Sequence, residues 1–197
     1  MLKTNQIYQK LKNNPVILNY KNRRQLITME MKSLNQKGIN CNNCQGNCCT
    51  FQSNSMQIDP LETFEIIKFL EENRKIDHKF EDMLKQNIEE FRLNSFQYIR
   101  KTYTCPFFNH THNGCLIGKY HKPYGCLAFN PTEKVIDKGS TCRSKQSILK
   151  NRNKIFNKSE QAFIQQIKKE IALSWDKLPI PLALLDMIQK ISNCPRK

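Results

Sequence analysis

Cys41-Asn42-Asn43-Cys44-Gln45-Gly46-Asn47-Cys48-Cys49 places four thiols within nine residues. Free cysteines that merely fill a core act as small hydrophobes and have no reason to crowd in this way. A C-x2-C pair is the usual two-point grip on a tetrahedral metal, because two sulfurs converge on one side of a tight turn. Cys41 and Cys44 are therefore candidate ligands, and Gly46 supplies backbone freedom just after them. Cys48 and Cys49 pose a geometric question. Neighbouring residues in a regular conformation point their side chains apart, so both reach one small ion only through an awkward turn. Otherwise they serve two centres, or one is a resting thiol beside the ligand shell.

Further along, Cys105, Cys115, Cys126 and Cys142 complete a set of eight candidate metal ligands, two of them within Thr104-Cys105-Pro106-Phe107-Phe108 and Lys122-Pro123-Tyr124-Gly125-Cys126-Leu127. The ninth cysteine, Cys194, stands alone near the C-terminus and is excluded from the site. Where an apolar signal-peptide stretch would follow the basic start, the chain reads Lys3-Thr4-Asn5-Gln6-Ile7-Tyr8-Gln9-Lys10. A cytoplasmic location is the expectation. In that reducing compartment, closely spaced cysteines bind metal or do redox chemistry more often than they form structural disulfides. No run approaches the roughly 18 apolar residues of a membrane span, so a membrane partner is not expected.

The 197 residues suffice for one domain with a real core. Their formal charge of +15 points toward nucleic acid or an acidic surface, but that count treats every cysteine as a neutral thiol. Ligation requires thiolates, and two four-thiolate zinc sites would offset about four of those charges. The rest is mostly scattered lysine. The charge alone therefore does not favour a nucleic-acid partner, although the basic run from Lys138 to Lys154 keeps that partner open.

Helix punctuation sets the organisation. Tyr20 lies in a stretch, 19–37, that carries Leu26, Ile27, Met29, Met31 and Leu34 and ends at Gly38, a natural helix stop. Asp59, Pro60 and Glu62 supply an N-cap, a first-turn proline and an early acid, predicting a helix over 60–73 with Phe64, Ile67, Phe69 and Leu70 on its apolar face. Phe80, Met83, Leu84, Ile88 and Phe91 repeat at helical spacing and predict a second helix over 78–93. Ser159 before Glu160 marks a third start, with Phe163, Ile164, Ile167 and Ile171 facing one way. Leu178-Pro179-Ile180-Pro181 then breaks the chain before a last helix near 182–191. Residues 100–143, broken by prolines and glycines, read as an irregular loop segment. Such a segment buries few aliphatic groups and needs something to offset its ordering entropy. Metal is the obvious candidate, and it would tie the two cysteine segments across the helical insertion.

The expected fold is mainly α with an irregular cysteine-rich metal-binding core, helices at both ends, and a helical insertion between the cysteine segments. The expected parts are an N-terminal helical extension (1–40), a cysteine-cluster metal-binding domain (41–145) and C-terminal helices (146–197) packing on the same domain. His110, His112 and His121 lie among the late cysteines and are alternative ligands. Tyr103, Phe107, Phe108, Tyr124 and Phe129 are expected to pack around the site and exclude water.

The order Cys41-x2-Cys44-x3-Cys48-Cys49, a helical insertion, Cys105-Pro-Phe and Cys115-x10-Cys126 closely resembles the CxxCxxxCC cysteine-cluster family, a zinc- or iron-chelating domain. The resemblance covers about residues 41–142. That family usually carries its late cysteine in an Arg-Pro-x-x-Cys-Arg phrase; here Lys122 and Leu127 replace both arginines. The family is also similar to the cysteine-rich part of flagellin lysine N-methylase, where an iron–sulfur cluster is implied. No glycine-rich nucleotide loop accompanies the cysteines here, so methyl transfer is not carried over. The resemblance implies zinc or iron as cofactor, the latter including a 4Fe-4S cluster, held by the eight cysteines for structure, redox or metal handling. Cys105-Pro106 echoes ferredoxin-type ligand dipeptides and leans toward iron. A metal-dependent enzyme with an open coordination position is an alternative, for which the middle segment offers only Glu133 and Asp137 as bases. A zinc-stabilised nucleic-acid-binding module is the other.

Overall fold

A computed structural model describes residues 6–39, 46–94, 101–111, 114–131 and 142–193. The expected ligands Cys41 and Cys44, together with His112, Glu133, Asp137 and Cys194, lie outside the described residues.

The protein is mainly helical. Helices α1 (Gln6–Lys12), α2 (Pro15–Leu18) and α3 (Tyr20–Gln36) open the chain, and α4 (Pro60–Glu72) and α5 (His78–Glu90) form the helical insertion. Asp59 accepts the Glu62 N–H while Glu62 accepts the Asp59 N–H, the reciprocal cap expected from those residues. Asp77 caps α5 in the same manner through the Phe80 N–H. Gly38, at φ +78°, ends α3 as expected: the Ile39 N–H reaches Leu34 O and the Gly38 N–H reaches Asn35 O. The helices α4 and α5 stop on the same pattern, with Arg74 and Arg92 in the left-handed position.

The irregular middle contains short regular pieces that the proline and glycine breaks concealed. A hairpin pairs β2 (Phe108–Asn109) with β3 (Gly114–Cys115), single turns α6 (Gly118–His121) and α7 (Tyr124–Leu127) follow, and β4 (Phe129–Pro131) pairs antiparallel with β5 (Cys142–Ser144). A further short ladder joins β1 (Gln57–Ile58) to β6 (Leu178–Pro179).

The largest departure from expectation is α8, which spans Gln146–Ile171 rather than starting at Ser159. Ser159 sits within the helix, and its hydroxyl donates to Phe156 O one turn back. The apolar period fails over residues 149–160 because the buried positions there are charged: Arg152 and Glu160 turn inward. The last helix, α9 (Ile180–Asn193), begins two residues before expectation and takes Pro181 in its first turn, where no amide donor is needed.

The helix α4 is central. Every residue from Pro60 to Ile67 is buried, against α8 and α9. The main core gathers Tyr8 and Leu11 of α1, Phe64 and Ile67 of α4, Leu84 and Ile88 of α5, Ile167 of α8 and Leu184 and Met187 of α9. N-terminal and C-terminal helices therefore share one core with the insertion. On α3, by contrast, Leu26 and Met29 face solvent while Arg23 and Arg24 are 1% exposed. No helix among the described residues is long and apolar enough to cross a membrane.

Candidate metal centre

Six cysteines from five separate segments line one cavity of about 450 Å³: Cys48, Cys49, Cys105, Cys115, Cys126 and Cys142. All six are half-buried. Each of the five segments delivers its sulfur by a different local device.

Cys48 and Cys49 lie on a single 3-10 turn, Asn47–Cys49, entered through Gly46 at φ +79°. The glycine is required twice over. Its backbone conformation disfavours any side chain, and a Cβ there would stand 2.5 Å from Phe108 Cζ. The turn resolves the question of the adjacent pair: the two sulfurs lie 4.0 Å apart instead of diverging. Sulfurs on one tetrahedral ion, each about 2.3 Å from it, are about 3.8 Å apart. This pair therefore has the spacing of two ligands to one ion.

Cys105 is fixed to the same turn by its backbone, since its N–H donates to Cys49 O at 2.7 Å. Beyond it, Tyr103 N donates to Asn54 O and Asn54 Nδ2 returns to Tyr103 O, and the Phe51 N–H meets Thr104 Oγ1. The Tyr103 hydroxyl then donates to Met56 O and accepts the Ile180 N–H, tying both strands of chain to the start of α9. Two segments 50 residues apart in sequence are thus zipped together by hydrogen bonds among their own groups. Cys115 comes from β3, where it pairs with Phe108, and Cys142 comes from β5. Cys126 comes from α7, which follows Pro123 at its N-cap and is held by the Leu127 and Ala128 amides. Ser144 Oγ donates to Gly125 O beside it.

Burial pushes the Cys105, Cys115 and Cys126 thiols up, and neighbouring cysteines add to this at all three. Cys49 moves the other way, to about 7, because Cys48 hydrogen-bonds to it and Lys122 lies near. Lys122 also lines the cavity, and its ammonium favours the thiolate at Cys49, Cys105 and Cys115 alike. Phe107, Ile117 and Phe129 supply apolar wall. No aspartate or glutamate lines this cavity among the described residues.

As donors, these groups fit zinc or iron: soft thiols, a nearby cation to offset thiolate charge, and apolar rings to exclude water. Their spacing is looser than that of a closed mononuclear shell. Among the described residues, no three His, Cys, Asp or Glu side chains converge closely enough to hold one ion. The described histidines do not join the cavity wall. His110 meets the edge of Phe108, and His121 is stacked between Tyr20 and Phe69, with ring centroids 5.5 and 4.1 Å away. Of the aromatics expected around the site, Phe107 and Phe129 line it, Phe108 supports the Gly46 turn, and Tyr103 braces the zipped segments.

Tyr124 does something the sequence did not announce. It is buried in a charged network behind the cavity, and its hydroxyl contacts Arg23 and donates to Glu160 Oε1 at 2.9 Å. Arg152 lies over its ring at 3.4 Å. Arg23 pairs with Glu65 and Glu160, Arg24 Nη1 lies 2.7 Å from Glu65 Oε2, and Arg152 pairs with Glu160. Glu62 Oε1 accepts the Tyr124 N–H and Arg24 donates to Lys122 O, so the segment 122–126 is clamped on one side by charge and presents Cys126 and Lys122 on the other. No spacing rule in the sequence pairs these residues. No protein-family model, curated protein or solved structure matches the chain.

Proposed function

We propose that the protein is a zinc- or iron-chelating cysteine-cluster protein of the CxxCxxxCC type, cytoplasmic, whose metal centre fixes the fold of residues 41–145 and serves redox or metal handling. The observation that carries this reading is the convergence of six cysteines, drawn from five segments, on one cavity. Cys41 and Cys44 complete the ligand set in this proposal. The cavity volume of about 450 Å³ exceeds what one ion needs, and the sulfurs are spread around it, which favours a cluster or two ions over a lone tetrahedral site. Such a centre supplies one-electron chemistry if it is iron–sulfur, and a structural crosslink if it is zinc. The chain's own residues do the rest. Lys122 offsets thiolate charge, Phe107 and Phe129 limit water, and the Gly46 turn and α7 set the positions of Cys48, Cys49 and Cys126.

An open-site enzyme would need a base at the cavity; no carboxylate lines the wall among the described residues, and Glu133 and Asp137 lie outside them. A nucleic-acid module would need the basic run on one face, yet Arg152 is buried and Lys145 pairs with Glu30 at 2.7 Å. The test is metal and acid-labile sulfide content, with a visible spectrum, on protein purified without oxygen or chelator. Stoichiometric iron with sulfide, or stoichiometric zinc in colourless protein, is expected. Protein that holds neither, even after reconstitution, overturns the proposal.

A further inference from the structure

The packing of α3 against α8 turns one side of each helix outward. The two helices run antiparallel: Arg152 Nε donates to Arg23 O, Ile27 and Ile148 share one apolar cluster, and Lys145 pairs with Glu30. On the inner side, Arg24 and Arg152 both lie over the Tyr124 ring of α7. Helical spacing then places Leu26 and Met29 of α3, and Ile155 of α8, on the opposite, outer side, along the seam between the helices. Met29 is 61% exposed, Ile155 63%, and Leu18 at the end of α2 62%, so these aliphatic side chains project rather than sit in a groove.

Lysines border this apolar strip on both sides. Lys32 stands one turn from Met29 and Lys158 one turn from Ile155, with Lys21 and Lys154 on the outer edges, all four exposed. None of them enters a salt bridge among the described residues. Over residues 15–37 and 145–158 the only acid is Glu30, which Lys145 occupies. Exposed acids gather elsewhere, as with Asp82, Glu89 and Glu90 at α5. The face is therefore cationic at its edges and apolar at its centre.

That combination selects among anionic partners. Nucleic acid is held by aromatic or guanidinium stacking as well as by charge. Here the arginines of both helices, Arg23, Arg24 and Arg152, are buried, and the exposed aromatics Phe51 and Tyr120 belong to other segments. Projecting aliphatic groups flanked by lysines suit a bilayer surface, where the apolar tips enter the headgroup boundary and the flexible ammonium groups reach anionic lipid.

We propose that the outer face of α3 and α8 rests on an anionic lipid bilayer, with Leu18, Leu26, Met29 and Ile155 entering the headgroup boundary and the lysines on lipid phosphate and carboxylate. The chain lies on the membrane in this mode and does not cross it. The segment of α7 that carries Cys126 is on the other side of the helix pair, so the face and its test are independent of the metal centre.

The experiment is co-sedimentation of the full chain as purified with vesicles of phosphatidylcholine alone, and of phosphatidylcholine with about one-third phosphatidylserine. Binding to the anionic vesicles about tenfold or more tighter than to the neutral ones is expected, weakened by salt. The pair Met29→Gln and Ile155→Gln, and separately the pair Lys154→Gln and Lys158→Gln, each exchange exposed side chains and leave the fold intact, and each lowers that binding about tenfold. Lys79→Gln with Lys85→Gln on α5 makes the same change in net charge and leaves binding within about twofold. No preference for anionic vesicles overturns the proposal, and so does an equal loss from the α5 pair, which means attraction by net charge alone. Unchanged binding in the Met29 and Ile155 pair means a purely electrostatic face, of the kind that takes RNA, and overturns it as well.

Discussion

Replacing Gly46 by alanine separates backbone conformation from packing in the turn beneath the adjacent cysteines. Gly46 holds φ +79°, a region that costs an L-residue about 1–2 kcal/mol. The added Cβ would stand 2.5 Å from Phe108 Cζ. Phe108 cannot simply swing clear, because it is buried, its backbone pairs with Cys115, and its ring meets the edge of His110. Overpacking a site of this kind adds about 1–3 kcal/mol, so Gly46→Ala is expected to cost about 2–5 kcal/mol in all. The protein contains its own control. Gly38 has φ +78° but nothing within 4 Å of its Cβ position, so Gly38→Ala bears only the conformational part, about 1–2 kcal/mol. Urea unfolding of both variants, compared at equal m-value, measures the difference. A loss in Gly46→Ala no larger than in Gly38→Ala would refute the packing argument. Because the Cys49 N–H is bonded to Gly46 O, the same variant is also expected to lower bound metal, whereas Gly38→Ala retains it in full.

Three further perturbations address the site and its support. Cys126→Ser is expected to lose bound metal, measured by elemental analysis, while Cys194→Ser retains it; full retention in Cys126→Ser would remove that cysteine from the ligand set. Glu62 sits near 8 and Asp59 near 6 in the folded protein, both above their unfolded values of 4.5 and 3.8. The folded state therefore holds protons that the unfolded state has released, and stability falls as pH rises from about 4 toward 8. Urea midpoints across that window should decline in the wild type and flatten in Glu62→Gln; a rising midpoint would contradict the sign. Glu160→Ala leaves Arg152 without its carboxylate and Arg23 with Glu65 alone, and should cost about 3–5 kcal/mol by thermal or urea unfolding, where a loss under about 1 kcal/mol would mean that the network is not held as described.

How legible these features were depends on what holds each in place. Capping chemistry writes itself into residue type, so the α4 start at Asp59-Pro60 and the α3 stop at Gly38 were readable and correct. The stops at Arg74, Arg92 and Ala172 were not, because left-handed arginine and alanine are chosen by tertiary packing against their intrinsic preference. The early half of α8 was hidden for a related reason. Its inward face is Ile148, Arg152 and Glu160, and a reading that equates buried with apolar places a charged pair on the surface. The cysteines announced a shared site by spacing alone, and six of the eight meet at one cavity. The device that aims Cys48 and Cys49 together depends on contact between Gly46 and Phe108, residues 62 positions apart, which no local pattern encodes.

The charged network and the cysteine cavity share one strut, the segment from Lys122 to Cys126. Its outer side is fixed by Arg24 to Lys122 O, by Glu62 to the Tyr124 N–H and by Glu160 to the Tyr124 hydroxyl; its inner side carries Lys122 and Cys126. Buried ion pairs add little net stability over apolar packing, since desolvation consumes most of their attraction. What they add is direction. An apolar cluster in the same place would tolerate rotation of a four-residue helix such as α7, whereas a tyrosine held at both its backbone amide and its hydroxyl tolerates very little. In the proposed centre, a thiol braced in this way would bear a smaller ordering cost on binding metal than a thiol on a free loop. The same logic explains the backbone bond from Cys105 to Cys49. In both places the chain uses hydrogen bonds outside the cavity to preset the sulfurs within it.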